Sequence, residues 1–286
     1  MTELCQGPDL SPRVPRLKAP PGTTDTHFHL FGPESKYPYD PDREYTPPDA
    51  TPQMARRHFD ALGVQRVVAV QASVYKLDNR CQLDGVAEIG LPYRVVVTVP
   101  KETTDPELDA LEERGVCGVR FIMAHGGGLP PEDLEFYADR MKELGWHLQL
   151  MVKPGHLIQL APRLAKLSCP FVIDHMSMVK PGDGLQQPAF QALLRLIKLG
   201  HCWVKITGAY RLSENGPGYE DLAPFARALA EAAPRRLVWG SDWPHPAHKG
   251  VMPNDADLLD LLQTWIPDEA VRKQILVDNP AALYGF

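Results

Sequence analysis

A distorted (β/α)8 barrel is the fold this sequence predicts, and three observations predict it. Apolar, strand-like runs recur eight times at fairly even intervals between Thr24 and Pro244. The stretches between them mostly carry helix patterns with start and stop signals of their own. Once a proline-rich start is set aside, the 286-residue chain leaves about 260 residues for these units, close to the roughly 250 of a typical barrel of this kind.

Residues 1–22 hold Pro8, Pro12, Pro15, Pro20 and Pro21 and show no hydrophobic period, which predicts an extended leader laid over the body of the fold. Residues 23–286 follow as a single barrel domain, since no linker composition divides them. The eight runs are Thr24–Phe31, Arg66–Ser73, Tyr93–Val99, Cys117–Met123, His147–Val152, Phe171–Ser177, Cys202–Gly208 and Leu237–Pro244. Runs such as Arg66–Val70 and Tyr93–Val97 are apolar on both faces, as parallel strands covered by helices should be. Between them, Thr51-Pro52 opens a helix that Gly63 stops, the asymmetry of proline inside a helix start and glycine past its end. Pro131-Glu-Asp opens another with Leu134, Tyr137, Met141 and Leu144 on one face and Gly145 after it. Pro188–Leu199 before Gly200, and the alanine-rich Leu222–Ala233 before Pro234, repeat the pattern.

Composition narrows the function classes. A formal charge of −6 gives no basic footprint, so nucleic acid is not an expected partner. No apolar run approaches the roughly 20 residues of a membrane helix. No basic start followed by an apolar segment marks a secretory signal. The five cysteines are scattered without a Cys-x-x-Cys pair, which suits reduced thiols in a cytoplasmic protein.

Chemistry in such barrels sits at the C-terminal ends of the strands. Strand one offers His27 and His29, two residues apart and so on one face, with Asp25 beside them. Two adjacent imidazoles are costly to bury without a partner, a metal or a substrate. Strand two ends in Gln71 and Ser73, strand four carries Arg120, and strand five Gln149. Strand six brings Asp174 and His175, and strand seven Lys205 with Arg211 just beyond. Strand eight ends Gly240-Ser-Asp-Trp-Pro-His245, which puts Asp242 at the rim with no obvious structural partner.

The ordered set Asp25-x-His27-x-His29, His175 and Gly240-Ser-Asp242-Trp-Pro-His245 resembles the amidohydrolase superfamily, as does the closing Asn279-Pro-Ala-Ala-Leu-Tyr-Gly-Phe286. Two positions depart from its metal-dependent members. Where a bridging carboxylated Lys or Glu is expected on strand four, this chain has Arg120, which has no lone pair to give and repels a dication. Strand five ends in Gln149, Met151 and Lys153 instead of a histidine. A two-metal centre is therefore not expected, and no cofactor is. The alternative is one zinc on His27, His29 and Asp242, joined or not by His175.

That combination is similar to the 2-pyrone-4,6-dicarboxylate lactonase branch, which includes sugar-acid lactone isomerases and lactonases. Tyr37-x-Tyr39 through Tyr45-Thr-Pro, Val70-Gln-Ala-Ser73 through Asp78-Asn79, Gly118-Val-Arg120-Phe and Val204 through Arg211 also resemble it. The resemblance implies a metal-independent hydrolase that opens an anionic lactone, a pyrone dicarboxylate, muconolactone or sugar-acid lactone. It implies Asp242 as general base and Tyr45, Ser73, Arg120 and Arg211 as substrate contacts, to which we add Gln149.

The residues support that chemistry independently. Lactone hydrolysis needs an activated water and a site for the developing oxyanion. Asp242 can take the proton, His27, His29 and His175, at least one of them protonated, can polarise the carbonyl, and the arginines supply forks for carboxylates. Structural readings stand beside the functional ones. Arg120 can pair with Asp174 in the barrel, Lys205 and Arg211 can be rim charges, Tyr45 and Ser73 can be packing and turn residues, and Trp243 can be core. Ala124-His-Gly-Gly-Gly128 and His175-Met-Ser-Met-Val179 lack the further arginines of the pyrone enzyme, and the Gly126–Gly128 run lets ligand groups approach the backbone. The alternatives to hydrolysis are isomerisation of a sugar-acid lactone such as galactarolactone, with a substrate hydroxyl as nucleophile, and a mononuclear zinc amidohydrolase or decarboxylase.

Overall fold

In the computed structural model, which describes residues 2–124 and 128–286, eight parallel strands follow one another around a nearly closed barrel. They are β1 (Thr24–Phe28), β2 (Arg66–Val70), β3 (Tyr93–Val97), β4 (Val116–Ile122), β5 (His147–Met151), β6 (Phe171–Ile173), β7 (Cys202–Ile206) and β8 (Leu237–Trp239). Each pairs with the next in sequence order. The seam between β8 and β1 closes just past the strand ends, where His29 N–H donates to Trp243 O and Asp242 N–H to His27 O, both at 2.8 Å. The expected Gly126–Gly128 approach lies outside the described residues except for Gly128, where an added Cβ would stand 2.4 Å from Ile122 O.

The connecting helices are α1 (Pro52–Leu62), α2 (Arg80–Glu88), α3 (Asp105–Glu113), α4 (Leu134–Leu144), α5 (Pro154–Leu164), α6 (Pro188–Ile197), α7 (Ala209–Leu212), α8 (Ala223–Ala232) and α9 (Asp255–Trp265). Two more, α10 (Glu269–Lys273) and α11 (Asn279–Tyr284), end the chain. The start and stop signals act as their chemistry requires. Thr51 Oγ1 accepts from Met54 N–H at 3.3 Å, and Gly63 takes the left-handed conformation that ends α1.

The C-terminal residues close the N-terminal end of the barrel. Leu283 and Tyr284 pack on the inward-facing Val68, Val96, Val172, Trp203 and Val238. Burying side chains of this size stabilises by about 1.5–3 kcal/mol each. The guanidinium groups of Arg66 and Arg94 lie 5.1 and 5.3 Å from the Phe286 ring centre, and Asn279 Nδ2 donates to Pro234 O and Leu237 O at 2.8 and 2.7 Å. With that end sealed, access is left to the opposite face, where the strands end.

Residues 2–22 run along the outside of the barrel. Cys5 N–H donates to Thr46 O at 2.7 Å, and Arg13 pairs with Asp257. Arg16 Nε and Leu17 N–H both reach Asp260, at 2.9 and 2.7 Å, so the leader straps α9. No helix among the described residues is long and apolar enough to cross a membrane.

Candidate active site

The C-terminal strand ends bring His27, His29, His175 and Asp242 together around one point. His27 lies 5.0 Å from His29 and 4.9 Å from His175, ring centre to ring centre. Asp242 Oδ1 stands 3.7 Å from His27 Nε2 and 3.6 Å from His29 Nε2, and Oδ2 is 4.0 Å from His175 Nε2. All four residues are buried.

Local sequence explains the convergence. β1 and β8 approach so closely that a Cβ on Gly240 would lie 2.7 Å from His27 N. Asp25 then ties the two strands: it accepts from Ser241 Oγ at 2.5 Å, Ser241 N–H at 3.1 Å and His27 N–H at 3.0 Å. Burial outweighs those bonds and pushes its carboxyl up to about 7. β6 stops at Ile173, and His175 through Met178 then take positive φ of 48, 47, 59 and 56°. Each such non-glycine residue costs about 1–3 kcal/mol and persists only when its surroundings hold it. Here Thr207 Oγ1 holds His175 Nδ1 at 2.5 Å, and Gly208 leaves room for the ring, since a Cβ there would come within 3.0 Å of that nitrogen.

Each ring presents Nε2 to the centre because its Nδ1 is engaged behind. His29 Nδ1 meets Val70 O at 2.7 Å, and His27 Nδ1 lies 3.3 Å from Asp174 Oδ1. Burial lowers the proton affinity of all three, His175 to about 4, which favours the neutral rings and works against the expected protonated histidine, while the nearby carboxylates pull the other way. In a neutral ring His29, whose Nδ1–H donates to Val70 O, turns an Nε2 lone pair to the centre, whereas His175, whose Nδ1 can accept from the Thr207 hydroxyl, can offer its Nε2–H to a carbonyl oxygen.

Asp242 is not without structural partners, contrary to the expectation from its motif. Its Oδ2 accepts from Tyr210 Oη at 2.6 Å and Arg211 Nε at 2.8 Å. Burial alone would raise its carboxyl, but the Arg211 guanidinium, and the imidazoles after it, hold it well below the usual carboxylate range. Tyr210 escaped the sequence reading because it lies on the helical turn after β7, not on a strand. Its place directly before Arg211 was the signal available.

The other expected contacts divide by depth. Arg211 also donates from Nη2 to Pro246 O at 2.8 Å. Arg120 donates to Gln71 O and reaches Asp174 Oδ2 at 3.4 Å, the pairing its structural reading foresaw, while its buried Nε finds no described partner. Ser73 Oγ donates to Tyr45 Oη across 3.4 Å, both side chains half-buried. Gln149 is a correction. It donates to Asp174 Oδ2 at 3.1 Å and accepts from Lys205 Nζ at 2.8 Å, so both ends of its amide are spent beneath the histidines. Lys205 is likewise no rim charge: it is fully buried, donates to Thr26 O at 2.7 Å and is brought down to about 8 by burial. Trp243 is core, stacked on His58 at 5.6 Å. A groove of about 830 Å³ beside the leader, lined by Arg13, Tyr219 and Trp265, lies away from these groups.

Among the described residues the set suited to one divalent ion is His27, His175 and Asp242, with ligand atoms within 4.8 Å of one another. The expected set was His27, His29 and Asp242, joined or not by His175; this grouping includes His175 and leaves His29 beside it. The buried His27 Nε2 has no hydrogen-bond partner among the described residues, and all three imidazoles are oriented from behind, as metal-binding histidines commonly are. The donor set therefore fits a single ion. Arg120, buried on β4 and reaching Gln71 O and Asp174, is a fixed cation with no lone pair to bridge two metals.

The amidohydrolase family model matches residues 24–286. The 4-sulfomuconolactone hydrolase of Hydrogenophaga intermedia is 41% identical over 98% of this chain and 94% of its own. The 2-pyrone-4,6-dicarboxylate hydrolase of Comamonas testosteroni is 35% identical over 96% of this chain and 93% of its own. The D-galactarolactone isomerase of Agrobacterium fabrum is 34% identical over 99% of this chain and 97% of its own.

Proposed function

This chain belongs to the amidohydrolase family, and on that premise we propose that it opens a small anionic lactone by adding water to the ring ester. One observation carries the reading. Asp242 turns Oδ1 toward His27 and His29 Nε2 while Tyr210 and Arg211 fix its Oδ2. A water held between Oδ1 and the lactone carbonyl gives one proton to Asp242 as its oxygen bonds to the carbonyl carbon; collapse of the adduct breaks the ring C–O bond, and Asp242 returns that proton to the departing ring oxygen. The Nε2–H of His175, whose Nδ1 accepts from the Thr207 hydroxyl, receives the carbonyl oxygen as charge develops on it. The two hydrolases named above, of a sulfomuconolactone and a pyrone dicarboxylate, act on acidic ring esters, which supports an acidic group on the substrate.

We assign that group to Arg120 Nε and to Arg211, with Tyr45 and Ser73, hydrogen-bonded to each other, as further contacts. A carboxylate held as low as Asp242 is a weak base at rest. An acid group that engages Arg211 shares its positive charge and restores basicity to Asp242 when substrate is present.

The arginine and tyrosine already compensate Asp242, so we read the reaction as one that side chains perform without a resident metal. If one divalent ion is bound, His27, His175 and Asp242 would hold it beside His29, and it would supply Lewis-acid polarisation of the carbonyl. The isomerase relative supports a second reading, in which a substrate hydroxyl replaces water at the same residues. All five cysteines are free, which suits the cytoplasm as the compartment.

The test is a panel of carboxylated and sulfonated muconolactones, pyrone dicarboxylate and sugar-acid lactones, followed by proton release and NMR of the products on protein of measured metal content. The expected result is a ring-opened acid from at least one anionic lactone, at a rate that chelation leaves unchanged. Failure to transform any lactone overturns the function, and activity lost and regained with stoichiometric metal overturns the metal-free reading.

A further inference from the structure

Behind Tyr210 lies a second group of buried ionisable side chains that the reaction does not use. Asp255, the first residue of α9, is 4% exposed. Its Oδ2 meets His245 Nε2 at 3.1 Å and lies 3.5 Å from His58 Nδ1. The His245 ring stands edge-on to Tyr210 with centres 4.8 Å apart, and its backbone N–H donates to Asp242 O at 2.8 Å. His58 stacks on Trp243, the residue after Asp242. Both histidines that Asp255 holds thus touch the turn that carries Asp242, or the tyrosine bound to it.

That turn needs holding. Asp242, His245 and Ala247 have φ of 64, 60 and 61°, and strain of this kind relaxes unless the surroundings are rigid. The helix behind it is anchored: Asn254 caps α9 by accepting from Ala256 N–H at 3.2 Å, and the leader ties Asp257 and Asp260.

We propose that Asp255 is a positioning residue for the lactone-opening site, acting through His245 and His58 to hold Tyr210 and the Asp242 turn in register with His27 and His29. The inference rests on the role given to Asp242 above. A merely structural Asp255 would change stability and leave the geometry at Tyr210 untouched, and the experiment separates the two.

The full chain is made as Asp255→Ala and Asp255→Asn, with the exposed Gln263→Ala as control on the same helix. Two quantities are read: kcat and KM on the best lactone of the panel above, and the NMR resonance of the isotope-labelled Tyr210 ζ-carbon, assigned by its loss in Tyr210→Phe. Loss of an orienting partner typically costs 10–100-fold, so Asp255→Ala is expected to lower kcat by about that factor with KM within about threefold, and to move the Tyr210 resonance. Asp255→Asn, which keeps an acceptor, recovers part of both, and Gln263→Ala changes neither. A folded Asp255→Ala with wild-type kcat and Tyr210 resonance overturns the proposal. If Asp255→Ala does not fold, Asp255→Asn and His245→Asn decide, and an unmoved resonance in both overturns it. If the wild-type chain opens no lactone, the functional reading falls while the Tyr210 resonance still decides the positioning role.

Discussion

Replacing Asp242 by Asn is expected to lower kcat on the lactone substrate by about 10³–10⁴-fold, the upper range for loss of a positioned general base, with KM nearly unchanged. The substitution tests chemistry and leaves the fold in place. Asn tolerates the left-handed backbone that Asp242 adopts, φ 64°, and its side-chain oxygen can still accept from Tyr210 and Arg211. What it cannot do is take a proton from water. The wild-type pH profile carries the same signature. Because Arg211 and the imidazoles hold Asp242 well below the usual carboxylate range, the acid limb of kcat/KM in the free enzyme falls below that range. Activity is then lost only as pH drops through that depressed value. Turnover unaffected by Asp242→Asn would remove the base from the mechanism.

Arg211→Met is the second large effect, expected at about 10²–10³-fold in kcat/KM with KM raised. A hydrogen bond to a charged group contributes about 1.5–3 kcal/mol, and each 1.4 kcal/mol is a factor of ten. Arg211 has two such tasks, one at Asp242 Oδ2, 2.8 Å away, and one at the substrate acid group. Methionine keeps an apolar stem against the Tyr210 ring, which the guanidinium carbon overlies at 5.0 Å. The sign of the pH effect separates the tasks. Arg211 is the foremost charge lowering Asp242, so its removal raises the Asp242 carboxyl and moves the acid limb to higher pH. A rise in KM with an unmoved acid limb would leave Arg211 as a substrate contact alone.

The sequence made the eight strands legible, but not where they end. The sixth and eighth apolar runs extend to Ser177 and Pro244, whereas β6 stops at Ile173 and β8 at Trp239. Beyond those points Asp174–Ser177 and Gly240–Pro244 are as buried as strand residues, so the burial pattern continues while the backbone turns into left-handed conformations. Periodicity reports burial, and these turns are buried because the site is. The central four side chains were legible because the strand-end rule needs only order along the chain. Depth along the barrel was not. Gln149 and Lys205 point inward like Arg120, but their hydrogen bonds to Asp174, Thr26 and each other place them in the layer beneath the histidines. Asp255 and His58, on helices outside the barrel, carry no strand-end signal at all.

The central claim, that Asp242 activates water against a lactone carbonyl, is tested most directly by a single turnover in heavy-oxygen water, with product and protein both weighed by mass spectrometry. The account requires one heavy oxygen in the newly formed carboxylate and none in the protein. Label in an aspartate of the chain, or an unlabelled rearranged lactone as the product, would contradict it.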